Sequence, residues 1–289
     1  MPRAYNHDYR DRSFYHITMT KAAGIPAFGH LSGSNIDRSP LGQIIAANIW
    51  RISDLNPSLK LLQYVIMPDH VHFLVQVTDR MEKPLGCYIG MLKVKIGQQY
   101  RSQIAQADTS PIFAPDFYDR IIWQDKPLDV VYKYIRDNPR RLAVRKANPD
   151  FFRRISNLTL AGKQWQCYGN IHLLDNPFKA QVVIHRADSS EVRKQNRQRW
   201  LHLAANGGVL VSPFISKDEK QIREEAESAG AKIILLTNEV FHDRYKPSAH
   251  DFTLCEQGRL LILAPASPLP TSRQTFLYLN QTARHLCQF

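Results

Sequence analysis

No stretch of this 289-residue chain approaches the roughly 18 consecutive apolar residues that a membrane-spanning helix needs, so no membrane partner is expected. Its four cysteines, Cys87, Cys167, Cys255 and Cys287, are scattered without a Cys-x-x-Cys. That spacing argues against a disulfide framework and against a cysteine-built zinc site, and fits reduced thiols in a cytoplasmic protein. No Gly-x-Gly-x-x-Gly fingerprint, internal repeat or low-complexity tract occurs, and an N-terminus carrying Arg3, Asp8, Arg10 and Asp11 is no secretory leader. Acidic residues are the other shortage: 26 Asp and Glu against 38 Lys and Arg, a formal net charge of +12. Up to residue 180 there are 24 basic and 15 acidic residues, net +9, and beyond it 14 and 11, net +3. A basic excess of this kind suits a polyanionic partner such as DNA, and it is concentrated in the first half.

That half also contains His70-Val71-His72, set in apolar sequence that reads as β-structure: residues 62–66 before it, a turn at Met67-Pro68-Asp69, and Phe73-Leu74-Val75 after it. Side chains alternate across a strand, so His70 and His72 aim two imidazoles to one side while Val71 packs on the other. Two converging imidazoles begin a metal site, since neutral imidazole is a common metal ligand. Alone, such a pair is more often structural.

A second segment changes the balance. Leu128, Val131, Tyr132 and Ile135 fall at helical spacing, and Pro127 suits a first turn, so residues 127–147 read as a helix. Tyr134 and Asn138 then stand one turn apart on one face. Pro139 is expected to end or kink the helix near Asn138, leaving the Asn138 amide oxygen available as a ligand. Tyr132 points about 200° away from Tyr134 around the same helix.

The two segments together resemble the HUH single-tyrosine transposases, and among them the REP-associated tyrosine transposases. The residues that carry the resemblance are Pro68-Asp69-His70-Val71-His72-Phe73 and Tyr134-Ile135-x-x-Asn138-Pro139, with a helix and Phe113-x-Pro115-x-Phe117-Tyr118-Asp119-Arg120-Ile121-Ile122 between them. It covers about residues 10–150. It implies a metal-dependent single-stranded DNA endonuclease and strand transferase, acting next to a palindromic hairpin. The chemistry is coherent. Phosphodiester transfer needs an in-line nucleophile and positive charge on the non-bridging oxygens. A divalent ion, Mg²⁺ or Mn²⁺, held by His70, His72 and Asn138 supplies the charge, and Tyr134 the nucleophile. A tyrosine has an ordinary pKa of about 10, so a cation must stabilise its phenolate. Other histidine enzymes fit less well: position 74 is Leu rather than a third alternating imidazole, and His16-Ile17-Thr18 has no matching second motif for a two-histidine phosphoesterase. A DNA- or RNA-binding regulator that keeps the fold without turnover is the competing function.

Candidate phosphate contacts are Lys93, Lys95 and Arg101 on the preceding helix, Arg120 beside the last strand, and Arg136, Arg140 and Arg141 around the tyrosine. Phe113, Phe117, Tyr118 and Trp123 are candidates either for stacking unpaired bases or for the core. Monomer and homodimer both stay open.

The expected fold is α+β: a ferredoxin-like antiparallel sheet with helices over residues 1–155, then a smaller Rossmann-like α/β domain over 156–289. Strands are expected at 14–20, 61–66, 70–77 and 117–123, helices at 41–55, 84–106 and 127–147, and 24–40 is the most loop-like stretch. Beyond the boundary come a hairpin at 157–168 turning at Ala161-Gly162-Lys163, strands at 180–185, 208–211, 232–236 and 259–263, and helices at 189–204, from Ser216 to Gly230, and at 272–286. Gly207-Gly208-Val209-Leu210-Val211-Ser212, Tyr245-Lys246-Pro247 and Glu256-x-Gly258-Arg259-Leu260-Leu261 are similar to the Rossmann-like domain of DNA-processing protein A. The chain departs from that pattern at 214–219, where a glycine-rich phosphate loop is missing.

Overall fold

The computed structural model describes residues 7–106, 109–122, 128–160, 162–243 and 245–288. Its contacts divide the chain into two compact units, Met1–Val144 and Arg145–Phe289. The strand beginning at Arg153, just ahead of the expected 155/156 boundary, pairs within the second sheet, and the two units are of nearly equal length.

The first unit runs β1 (Ser13–Thr20), β2 (Gly29–Ser32), β3 (Asn35–Arg38), α1 (Pro40–Trp50), β4 (Leu59–Ile66), β5 (His70–Val77), α2 (Leu85–Gln103), β6 (Tyr118–Ile122) and α3 (Leu128–Ala147). Four strands form an antiparallel sheet in the order β4-β5-β1-β6. This is the ferredoxin-like arrangement, two strand–helix–strand units interleaved so that β1 and β5 lie at the centre. Residues 24–40 hold a small hairpin, β2 with β3, where a loop was expected; its strands are four residues each and mostly exposed, too short to show a period-2 pattern. Trp123 and Pro127 lie outside the described residues.

Alternation divides this sheet between two packing partners. Tyr15, Ile17 and Met19 of β1 with Val71, Phe73 and Val75 of β5 face α1 and α2, whose Ile45, Ile49, Leu85, Ile89, Leu92 and Ile96 close the main core. Leu74 and Ile122 face the other way and meet Ile135 of α3, with Leu62, Val65, Val131 and Tyr134 around them. So α3 is held by a small apolar cluster on the face that also carries the histidines.

The second unit continues with β7 (Arg153–Leu160), β8 (Lys163–Gly169), β9 (Lys179–Gln181), α4 (Ser190–Ala205), β10 (Val209–Ser212), α5 (Lys217–Ser228), β11 (Lys232–Leu236), α6 (Ala249–Glu256), β12 (Leu260–Pro265) and α7 (Arg273–Leu286). The sheet order is β7-β8-β12-β11-β10-β9. Strands β9 to β12 are parallel, and β8 and β7 extend the sheet antiparallel. Residues of α4, α5 and α6 cover one face and α7 covers the other, which explains the nearly continuous apolar strands. The capping box of Ser216 with Glu219 is formed as expected, whereas α6 has no counterpart among the expected helices; Ala161 of the hairpin turn lies outside the described residues. Among the described residues no helix is long and apolar enough to cross a membrane, and all four cysteines are free thiols.

Because one residue centres the cluster under α3, Ile135→Ala is expected to lower the stability of the first unit by about 2–5 kcal/mol in urea unfolding. Val130→Ala, on the exposed side of the same helix, is expected to change it by no more than about 0.5 kcal/mol.

Candidate active site

The face of the sheet beneath α3 carries a polar row. Thr20 pairs with His70, Thr18 with His72, and His16 with Leu74 on one side and Arg120 on the other. His70 Nε2 and His72 Nε2 approach to 3.1 Å. The far nitrogen of each ring has an oxygen partner. His70 Nδ1 lies 2.7 Å from Asp69 Oδ1, and His72 Nδ1 lies 2.8 Å from Thr18 Oγ1 and 3.2 Å from His16 Nε2. The Asp69 carboxyl is held below the ordinary carboxylate range, chiefly by that bond from His70.

Tyr134 stands over this row from α3. Its ring centre is 6.0 Å from that of His72 and 6.1 Å from that of His16, and the Arg141 guanidinium lies 5.5 Å from it. Arg141 is itself buried, while Tyr132 points outward and is 40% exposed. The sheet thus brings His70, His72 and Tyr134 together and excludes Tyr132.

At Pro139 either an end or a kink of the helix was expected. The helix does not end before Pro139 but runs on to Ala147, with Pro139 inside it. Proline leaves the Ile135 carbonyl without its usual donor. Asn138 Nδ2 turns back to the helix, donating to the Tyr134 carbonyl at 2.8 Å and reaching that of Ile135 at 3.5 Å. The amide hydrogens thereby cover the break, and Oδ1 is the end of the buried amide turned away from these carbonyls.

Two nitrogens bound to one ion at about 2.1 Å and a right angle are about 3.0 Å apart, close to the spacing seen here. With each ring's proton on Nδ1, both Nε2 lone pairs face one gap, an arrangement that a cation relieves. Oxygen partners on the outer nitrogens are the usual support of metal-bound histidines. Among the described residues no group of three His, Cys, Asp or Glu side chains is placed to hold a metal ion. His16 is not a third ligand of the pair, since it meets His72 at the opposite nitrogen. A third protein ligand of this face has to be of another type, and the Asn138 amide oxygen is of that type. Two imidazole nitrogens and an amide oxygen make a mixed donor set that suits a divalent ion completed by water or phosphate oxygens.

The cations separate into groups. Lys93 is not a free phosphate contact: its ammonium donates to the carbonyls of Ala114, Pro115 and Asp116 at 2.8, 3.0 and 3.0 Å, which uses all three protons, and burial lowers its pKa. Lys95 and Arg101 share α2 with it, on the far side of the sheet from α3. Arg120 is exposed on β6 in register with His16. Arg136 is exposed on α3, and Arg140 is paired with Asp137 at 2.7 Å. Of the candidate stacking aromatics, Phe113 is buried against Phe28, Phe117 packs at the core edge under Lys93, Tyr118 is half-buried, and Trp123 lies outside the described residues.

Sequence reasoning missed Thr18 and His16 as partners of His72. The spacing i, i+2 in β1 was visible, but only the β1–β5 register shows what the two residues face.

In the second unit, the N-terminus of α5 carries its own anion. Glu219 Oε2 accepts from the backbone N–H groups of Ile215 and Ser216 at 2.9 Å each, and Oε1 from that of Ile184 at 3.0 Å. Phe214, with φ of 44°, takes the left-handed turn that a glycine would take in a phosphate loop, and its ring is buried. The four parallel strands also follow chain order across the sheet, so no reversal of strand order opens a ligand crevice among them.

Residues 46–138 match the family model described as "Transposase IS200 like", a span that includes His70, His72, Tyr134 and Asn138. An uncharacterized protein of Haemophilus influenzae is 21% identical over 154 residues, covering 47% of this chain and 86% of its own length. Two solved structures overlap partially. A REP-associated tyrosine transposase bound to a REP hairpin covers 49% of this chain and 74% of its own, with 13% identity and a TM-score of 0.37. DNA processing protein A from Helicobacter pylori, described with its single-stranded DNA binding mode, covers 47% and 65%, with 20% identity and a TM-score of 0.33. Residues 46–138 are thus similar to the IS200-like transposases, and the second unit is an additional α/β domain.

Lys93→Met is expected to destabilise the first unit by about 1–3 kcal/mol in urea unfolding, because it removes a charged donor from three carbonyls. Arg136→Met, at an exposed helix position, is expected to change stability by no more than about 0.5 kcal/mol.

Proposed function

We propose that the protein is a single-stranded DNA endonuclease and strand transferase that works through a 5′-phosphotyrosine at sites beside a hairpin. The observation that carries this reading is the approach of His70 Nε2 to His72 Nε2 at 3.1 Å directly beneath Tyr134. His70, His72 and the Asn138 amide oxygen would hold one divalent cation, Mg²⁺ or Mn²⁺. Bound there, the cation supplies positive charge to the non-bridging oxygens of the scissile phosphate.

The chain's own residues do the rest. Tyr134 gives up its phenolic proton to solvent as Oη attacks phosphorus in line, the P–O3′ bond breaks, and the 5′-phosphate remains on the tyrosine. The departing 3′ oxygen takes a proton and leaves as a hydroxyl. A second 3′-hydroxyl reverses the step, releases Tyr134 and joins the new strand, so bond energy is conserved without a nucleotide cofactor. Arg141 places fixed positive charge beside the phenolate as it forms. Arg120 and Arg136, exposed on β6 and α3, and Arg140 after them, line the approach of a phosphate backbone, and Lys95 and Arg101 belong to a more distant stretch of it.

The first unit would then be the nuclease and the second an accessory domain. The internal carboxylate of Glu219 favours a structural or targeting role for the latter over nucleotide binding.

The test is a labelled hairpin oligonucleotide with a single-stranded flank, incubated with Mn²⁺ or Mg²⁺ and run on a denaturing protein gel. A covalent protein–DNA adduct is expected from the wild type and none from Tyr134→Phe, while Tyr132→Phe keeps it. Hairpin binding by the wild type with no adduct on any hairpin tested would instead favour a DNA-binding regulator without turnover.

A further inference from the structure

A histidine that binds a metal through Nε2 must keep that nitrogen unprotonated, so its one proton belongs on Nδ1. For His70 the acceptor is Asp69. For His72 the Nδ1 atom faces β1, where Thr18 Oγ1 lies at 2.8 Å and His16 Nε2 at 3.2 Å. Both can accept: a hydroxyl oxygen has two lone pairs, and a neutral imidazole has one bare nitrogen. The strand register puts Thr18 directly opposite His72, and period-2 alternation puts His16 on the same face one pleat away. His72 and His16 are both buried, so water is a poor substitute for either acceptor. His16 also stands edge-on to the Tyr134 ring, at 71° between planes.

We propose that Thr18 and His16 are positioning residues for His72. They accept its Nδ1–H, which turns a bare Nε2 toward His70 and fixes the plane of the ring. This rests on the reading of His70 and His72 as a metal pair. The two supports differ in kind: His70 has a carboxylate, whereas His72 has two neutral acceptors that share one proton. When either acceptor is lost the other retains the proton, so the pair is redundant. Thr18, the shorter contact, carries the larger share. His16 joins the orientation of His72 to that of Tyr134, because one imidazole touches both.

The experiment titrates the full-length protein with Mn²⁺ alone, followed by loss of the free-ion electron paramagnetic resonance signal. Thr18→Val and His16→Phe are each expected to weaken Mn²⁺ binding a few-fold. The double variant is expected to weaken it by about 10–100-fold, more than the product of the single effects, as removal of outer-shell partners does. Thr18→Ser, which keeps the hydroxyl, is expected to bind as the wild type does. Loss of packing alone would lower thermal midpoints without this non-additive loss of affinity or its rescue by serine. A second measurement needs no variant. In wild-type protein saturated with Mg²⁺, ring ¹⁵N spectra should show the His72 proton on Nδ1, and a proton on Nε2 would overturn the proposal. A double variant that binds Mn²⁺ as tightly as the wild type, while His70→Ala does not bind, overturns the positioning role and leaves the metal pair standing. If His70→Ala binds Mn²⁺ as the wild type does, the metal pair falls, and the positioning role with it.

Discussion

When β1 and β5 pair antiparallel, Thr18 comes to stand opposite His72 and Thr20 opposite His70, and alternation then commits every neighbour on both strands. Val71, Phe73 and Val75 go to the face covered by α1 and α2, together with Tyr15, Ile17 and Met19. His70, His72 and Leu74 go to the face under α3. A slip of one residue would place both imidazoles in the main core and expose three large apolar side chains. The same burial that stabilises the sheet therefore sets the direction of the histidines. The small cluster around Ile135 on the second face then decides which side of α3 looks down, and so selects Tyr134 over Tyr132.

Much of this could be read from the residues alone. The period-2 pattern around His70 and His72 and the helical spacing of Leu128, Val131 and Ile135 are strong local signals, and the helix and strands they indicate are present within a few residues of the expected limits. What local pattern cannot carry is pairing. Thr18 and His16 became partners of His72 only through the β1–β5 register, across more than fifty residues of chain. Of the two outcomes expected at Pro139, an end or a kink, the end does not occur. Proline does remove a hydrogen bond, but the Asn138 side chain returns donors to the same turn and the helix continues to Ala147. Lys93 reads as a surface charge from sequence, whereas its ammonium is held by three backbone carbonyls.

The second unit shows the limits of pattern in another way. Its strands and helices alternate as a Rossmann-like domain should, and the layers are those expected. Yet the helix end at Ser216, where such domains receive phosphate, is satisfied by Glu219, and the strand order does not reverse among the parallel strands. The absence of a glycine-rich loop at 214–219 was thus a meaningful departure: Phe214 and Glu219 fill the turn and its anion position with the protein's own atoms.

The proposed function requires His70 and His72 to share one divalent ion beneath Tyr134. The most direct measurement is anomalous diffraction from crystals of the full chain soaked in Mn²⁺. A peak is expected about 2 Å from both Nε2 atoms and within reach of the Asn138 amide oxygen. A peak bound elsewhere on the protein, or none at saturating Mn²⁺ with the two imidazoles still facing each other, would contradict it.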